Sequence, residues 1–141
     1  MSIGAAFRED ILDLIYNAVA IANIADNAST SPLTNLYVSL HTADPNAGTQ
    51  STSEVTYTSY ARVAVARTSG GWTITANSVS PAATISFPAG TGGSGTATHA
   101  AVGTLSTGAG VIIDSGALSP TIATGDGITP EIKTTSTITR T

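Results

Sequence analysis

Residues 36–67 read LYVSLHTADPNAGTQSTSEVTYTSYARVAVAR, and this stretch decides the fold class. Leu36, Val38 and Leu40 alternate with Tyr37, Ser39 and His41, the two-residue period of a strand with one face turned inward. Thr42-Ala43-Asp44-Pro45-Asn46-Ala47-Gly48 is dense in turn formers. A polar loop, 49–53, then leads to a short strand expected around Val55 and Tyr57. From Tyr60 to Arg67 the alternation returns, with Ala61, Val63 and Val65 on one face and Tyr60, Arg62 and Ala64 on the other. Strand, turn, polar loop and further strands are the grammar of a β-domain.

Toward the C-terminus the same grammar continues. Gly70-Gly71 predicts a hairpin connection into Trp72, Ile74 and Ala76, whose alternation buries the only Trp. Short strands are expected around 84–87, 96–103, 110–118, 128–133 and 136–140. Pro81, Pro88, Pro120 and Pro130 fall between these runs or at their edges, where a missing N–H is tolerated. Many short strands at a spacing of roughly 8–12 residues predict an antiparallel β-sandwich or jelly-roll-like barrel. No repeat of solenoid or propeller length stands out.

Toward the N-terminus the period changes to that of a helix, predicted over residues 5–26. Ile11, Leu14, Ile15, Ala18 and Ala22 form one stripe, with Asp10, Asp13 and Asn17 opposite. Leu12 and Val19 widen the apolar surface. Glu9 and Asp10 come early, where carboxylates favour the positive end of the helix dipole. Asp26, Asn27, Ser29, Ser31 and Pro32 end the pattern. The stripe suits packing on the β-domain, or docking against another subunit. The division expected is a helical segment over 1–30 and a β-domain over 31–141.

Bulk properties narrow the function. The 141 residues carry only 10% charged side chains, against roughly 25% in an ordinary soluble domain. Ser and Thr replace the missing charges, and the net charge is −4 at pH 7. Lys133 and four arginines make no basic patch, which argues against nucleic-acid binding and against polybasic attachment to an anionic membrane. Cysteine is absent, so disulfides, thiolate chemistry and cysteine-ligated metals are excluded. No basic segment followed by an apolar core and a cleavage site opens the chain, so a secretory signal is not expected. The apolar region 11–24, broken by Asp13 and Asn17, is too short to span a bilayer.

Catalytic patterns are weak. His41 or His99 could be combined on paper with an Asp and a Ser, but a Ser-rich chain supplies such triples by chance. No Gly-x-Ser-x-Gly elbow supports them. His41 is expected to cap its strand or hydrogen-bond the following turn, and His99 to sit on a strand. His41 with Asp44 is too small a set for a metal, and Asp114, Asp126 and Glu131 are too scattered for a calcium loop. The glycine-rich run 89–96 lacks the Lys-Ser/Thr ending of a phosphate cradle and reads as a flexible hairpin loop whose glycines supply positive φ. Glu54 stands alone in a polar loop, without the partner carboxylate of a glycosidase. The reading assigns no catalytic, cofactor-binding or metal residue, expects no cofactor and expects no enzyme.

At 36–67 the chain resembles a family of small tailed-bacteriophage virion proteins. The residues that carry the likeness are Leu36-Tyr37-Val38-Ser39-Leu40-His41-Thr42-Ala43-Asp44-Pro45, then Gly48-Thr49, Glu54-Val55 and Tyr60-Ala61-Arg62-Val63-Ala64-Val65. Trp72, Ile85-Ser86-Phe87-Pro88-Ala89, Gly92-Gly93-Ser94-Gly95 and Thr98-His99-Ala100-Ala101-Val102-Gly103 continue it, as do Ser115-Gly116-Ala117-Leu118 and Gly127-Ile128-Thr129-Pro130. Members of this family are often labelled tail-fibre-like, and similar small β-rich proteins serve as decoration or cement proteins outside a capsid. The resemblance therefore implies a structural virion protein assembled in the bacterial cytoplasm. The leading expectation is a capsid decoration protein on the capsid surface, bound to the major capsid protein and homo-oligomeric, a trimer by analogy. The alternative is a tail or tail-fibre-associated adsorption protein. The resemblance carries no catalytic residues.

Overall fold

A computed structural model describes residues 5–21 and 32–140. In chain order the elements are α1 (Ala5–Tyr16), β1 (Asn35–His41), β2 (Val63–Ala66), β3 (Trp72–Thr75), β4 (Ser78–Pro81), β5 (Ile85–Ser86), β6 (Ser94–Gly103), β7 (Ile112–Gly125), β8 (Glu131–Ile132) and β9 (Ile138–Thr139). The fold is mainly β, with antiparallel sheets and one short N-terminal helix, as the two-residue period predicts. Two compact units share the chain: residues 1–35, 65–84 and 133–141 form one, and 36–64 and 85–132 the other.

In the first unit, β3, β4 and β9 pair in that order, and α1 packs on β3 and β4. The seat of the helix is aromatic. Tyr16 meets Trp72 edge to face at 4.8 Å, and both are buried together with Leu12 and Val79. The inward face is thus Leu12 and Tyr16, spaced i, i+4. It is not the predicted stripe, whose Ile11, Leu14, Ile15 and Ala18 remain half-buried. The large Tyr16 ring selects the face by filling the space against Trp72.

The helix is also shorter than predicted. It stops at Tyr16, because Ala18 takes a left-handed φ of 57° and the Val19 N–H turns back to the Asp13 carbonyl at 3.1 Å. Asn17 Nδ2 donates to Asp13 Oδ1 at 2.8 Å and holds the turn. Residues 22–26 of the expected helix lie outside the described residues. With the helix beginning at Ala5, its first turn holds no acidic residue, so Glu9 and Asp10 lie too far along for the dipole role expected of them. At the other end, the Arg67 guanidinium donates to the carbonyls of Leu14 and Ile15. These are last-turn acceptors, and a cation from elsewhere in the chain binds them.

The hairpin expected at Gly70-Gly71 is elsewhere. β2 and β3 belong to different sheets, and β3 turns instead into β4 through Ala76-Asn77, pairing Thr75 with Ser78. Ala76 adopts a φ of 55° there, where a Cβ is unfavourable. Strand β9 is fastened to this turn by Arg140 N–H to the Asn77 carbonyl and Asn77 Nδ2 to the Arg140 carbonyl, each 2.8 Å.

The second unit centres on a sheet ordered β2-β1-β6-β7. β1 pairs antiparallel with β6, from Tyr37 opposite Gly103 to His41 opposite His99. β6 pairs in turn with β7, from Ser94 opposite Gly125 to Gly103 opposite Ile112. β7 runs past the expected 110–118, to Gly125, with Pro120 inside it, since a sheet-edge position tolerates the missing donor. Leu36, Val38 and Leu40 are buried as the alternation predicts, and so are Val55, Tyr57, Ile85, Phe87 and Ile132. Tyr60 stacks on Phe87 at 6.2 Å and meets Tyr57 edge to face at 5.4 Å.

The segment around Val55 and Tyr57 forms no strand. It runs beside the end of β1 through a bridge between His41 and Glu54 and a bond from Val55 N–H to the Leu40 carbonyl, then turns away with Ser59 at φ 78°. The glycine-rich run is likewise no hairpin, since the strands flanking it, β5 and β6, pair with other strands. Gly90 bridges Asp126, Gly92 bridges Thr58, and a Cβ on Gly90 would strike the Gly125 carbonyl. Close backbone approach, with a positive φ at Gly93 alone in this run, is what the glycines supply.

Candidate functional site

The polar chemistry of the second unit gathers beneath the 42–53 loop and the β6–β7 connection, 104–111. Alternation sends Ser39 and His41 to the face of β1 opposite Leu40, yet both are fully buried. His41 Nδ1 lies 2.9 Å from the Thr52 carbonyl, which can only accept, so Nδ1 carries the proton. Nε2 then accepts from Ser39 Oγ at 2.8 Å. Burial pushes the His41 pKa down, against the opposing effects of the Thr52 carbonyl and Glu54. His41 is thus a neutral post that fixes the following loop, the role expected from its position.

A Ser–His pair at this distance invites comparison with a hydrolase, but Ser39 is fully buried and no substrate carbonyl reaches its Oγ. The third group is a backbone carbonyl rather than a carboxylate. His99 sits on β6 as expected, opposite His41, with Nδ1 2.9 Å from Thr98 Oγ1. Asp44 does not turn toward His41. Its Oδ1 accepts from Asn46 N–H at 3.1 Å and from Ser115 Oγ at 2.8 Å, and these bonds, the Ser115 one foremost, hold its carboxyl below the usual range. Among the described residues no three His, Asp or Glu side chains stand close enough to hold a metal ion.

Glu54, expected to stand alone, is the centre of the strongest cluster. Arg62 donates from Nε to Glu54 Oε1 at 2.7 Å and from Nη2 to Oε2 at 2.8 Å. Tyr60 Oη donates to Oε1 at 2.8 Å and accepts from Leu40 N–H at 3.1 Å. Burial, with the Glu54 carboxylate beside it, drives the Tyr60 pKa far upward, so the phenol stays protonated. The Glu54 bond in turn raises the pKa of Arg62. The same guanidinium reaches the β6–β7 connection, with Nη1 2.9 Å from the Leu105 carbonyl and Nη2 2.8 Å from that of Gly108.

Gln50 braces the connection from the other side. Fully buried, it accepts at Oε1 from Leu105 N–H at 2.9 Å and donates from Nε2 to the Tyr37 carbonyl at 3.3 Å. Its own N–H binds the Gly110 carbonyl at 2.9 Å. Gly103 and Gly110 form the slot, since a Cβ on either would collide with the Gln50 amide. Sequence reading passed over Gln50 as one more loop residue. The only local signal was a long amide within a run of short hydroxyls.

A cleft of about 290 Å³ opens beside Glu54, walled by Thr42, Thr56, Gly93, Thr96 and Thr124. Its one carboxylate is already engaged by Arg62 and Tyr60. The arrangement as a whole positions backbone segments; it does not present an activated nucleophile or a free acid–base pair.

The comparisons agree with the resemblance carried by 36–67. No curated protein matches the chain. A family model described as Gp80, podophage GP4 fiber I protein gp80, matches residues 9–138, which include α1 from Glu9 onward, β1 to β8 and the first residue of β9. With nearly all of its length matched, the chain belongs to the podophage GP4 fiber I protein gp80 family of tailed-phage virion proteins.

Proposed function

We propose that the chain is a non-enzymatic structural part of the fibre apparatus of a tailed phage, present in several copies as a homo-oligomer. The observation that carries this reading is the match of residues 9–138 to a family described as a fibre protein. The polar network supports it, since Glu54 and Arg62 engage each other while Gln50 and His41 bind the backbone. Its partners in this role are other proteins of the particle. Nine acidic against five basic residues suit neither a phosphate backbone nor an anionic membrane surface.

Capsid decoration, with the major capsid protein as partner, is the second reading. It is favoured by the lack of any shaft-like repeat in the 141 residues. Imaging intact virions at side-chain resolution separates the two. A few copies at the tail are expected; copies covering the icosahedral shell would replace the fibre reading with the decoration one.

A further inference from the structure

The central sheet of the second unit narrows along its length. β1 pairs with β6 only as far as His41 opposite His99, while β6 runs back to Ser94 against β7. Among the described residues, 94–98 of β6 thus have β7 on one side and no strand on the other. The chain that leaves β1 at Thr42 returns beside this gap as residues 54–57, which do not pair with β6. The cleft of about 290 Å³ beside Glu54 lies here, lined by 54–57 and 93–96.

Its lining is rich in hydroxyls and balanced in charge. Thr42, Thr56, Ser94, Thr96 and Thr124 all border it. Thr124 is only 4% exposed, yet its hydroxyl makes no hydrogen bond among the described residues and is left to the cleft. Gly95, opposite Thr124, keeps that hydroxyl open, since a Cβ there would sit 3.1 Å from Thr124 Oγ1. Glu54 gives Oε1 to Arg62 and Tyr60 but Oε2 to Arg62 alone, so Oε2 retains a lone pair. Val55 and Tyr57 add a smaller apolar share. Ser53 and Ser59 bracket this wall at φ 53° and 78°, conformations that a side chain adopts at a cost. Such costs collect where a ligand is held.

We propose that this cleft binds one unit of a neutral saccharide. Hydroxyls that both donate and accept match a ligand whose own groups do the same, and a buried hydroxyl without a partner gains most from it. With Glu54 neutralised by Arg62, the lining offers neither a cation for a phosphate nor a free carboxylate for an amine. An added peptide strand would answer the backbone of β6 but leave the hydroxyls unmatched. The volume, at the low end of small-molecule pockets, suits a single ring whose neighbours in a chain continue into solvent. This adds a binding role to the structural one and holds whether the chain sits on the tail or the capsid.

Amide chemical shifts of the isotope-labelled full chain test this in titrations with D-glucose, D-galactose, L-rhamnose and N-acetyl-D-glucosamine. Glycerol and trialanine amide serve as comparisons. At least one sugar is expected to give saturable shifts in the millimolar range, confined to 54–57, 93–96 and 124, with no saturable response to either comparison. Thr124→Val removes the open hydroxyl and Gly95→Ala covers it. Each is expected to weaken binding about fivefold while circular dichroism stays that of wild type. If Thr124→Val fails to fold, Gly95→Ala supplies the comparison. Any of three results would overturn the assignment: no saturable cleft shifts with any sugar, saturation by trialanine amide instead, or folded variants that bind as wild type does.

Discussion

Arg62 grips Glu54 through two parallel hydrogen bonds of 2.7 and 2.8 Å, with the Arg62 side chain only 3% exposed and that of Glu54 16%. A fork-to-carboxylate pair of this kind is among the stronger polar contacts available to a protein. Here it also ties the segment after the 42–53 loop to the β6–β7 connection, because the same guanidinium holds the Leu105 and Gly108 carbonyls.

Removing Arg62 therefore leaves the half-buried Glu54 carboxylate without its cation, held by the Tyr60 hydroxyl, and takes a charged donor from the Leu105 and Gly108 carbonyls. Arg62→Ala is expected to lower the unfolding free energy by about 3 kcal/mol, the range for breaking one side of a buried pair. Arg62→Lys should recover little, because an ammonium cannot make the planar double contact. Urea unfolding measures both; full recovery by Lys would show that charge alone matters.

The Gln50 slot predicts a coupling. Gly103→Ala drives a methyl into the Gln50 amide and is expected to destabilise the fold by about 2 kcal/mol, as overpacking does. Shortening the intruded side chain with Gln50→Ala should relieve the clash. The double variant is then less damaged than the sum of the singles by about 1 kcal/mol or more. A double-mutant cycle in urea gives the coupling directly, and strict additivity would contradict the slot.

At the β3–β4 turn the expected change is a gain. Ala76 sits at φ 55°, where Cβ crowds the backbone by about 1 kcal/mol. Ala76→Gly removes that crowding but loosens the unfolded chain, for a net stabilisation of about 0.5 kcal/mol. Thermal melting should show a small rise in Tm.

Protonation of His41 is opposed by burial, so its pKa is lowered in the folded chain and stays near 6.5 in the unfolded one. Below 6.5 the unfolded chain binds the proton first. The His41 contribution is fully present above that pH and is lost as pH falls through it toward the folded value. A charged imidazole would also lose its acceptor for the Ser39 hydroxyl. Unfolding free energy measured across this interval should decline more steeply for wild type than for His41→Gln.

Arg67 caps a helix from a distant point in the chain, and Arg67→Met should fray the last turn of α1. A loss of about 1 to 2 kcal/mol is expected for a cation and its hydrogen bonds at a helix C-terminus. Fluorescence of Trp72, the only Trp and the seat of Tyr16, reports the unfolding.

The sequence by itself determined the β class, the strand β1 with its buried Leu36, Val38 and Leu40, the approximate places of β5 to β9, and the turn at Asp44 and Asn46. Each of these follows from the alternation of neighbouring side chains or from turn chemistry within a few residues. It also carried the family resemblance, because the matching residues are contiguous runs. Only the tertiary structure decided that β3 pairs with β4, that Glu54 belongs to Arg62, that Gln50 fills a slot between Gly103 and Gly110, and that α1 stops at Tyr16. The partners that fix Leu105 and the helix end lie 55 and 52 residues away from the groups they bind. Periodicity records which way a side chain points from its own backbone. What it meets there is settled by packing between distant segments, and a pattern of near neighbours holds no record of that.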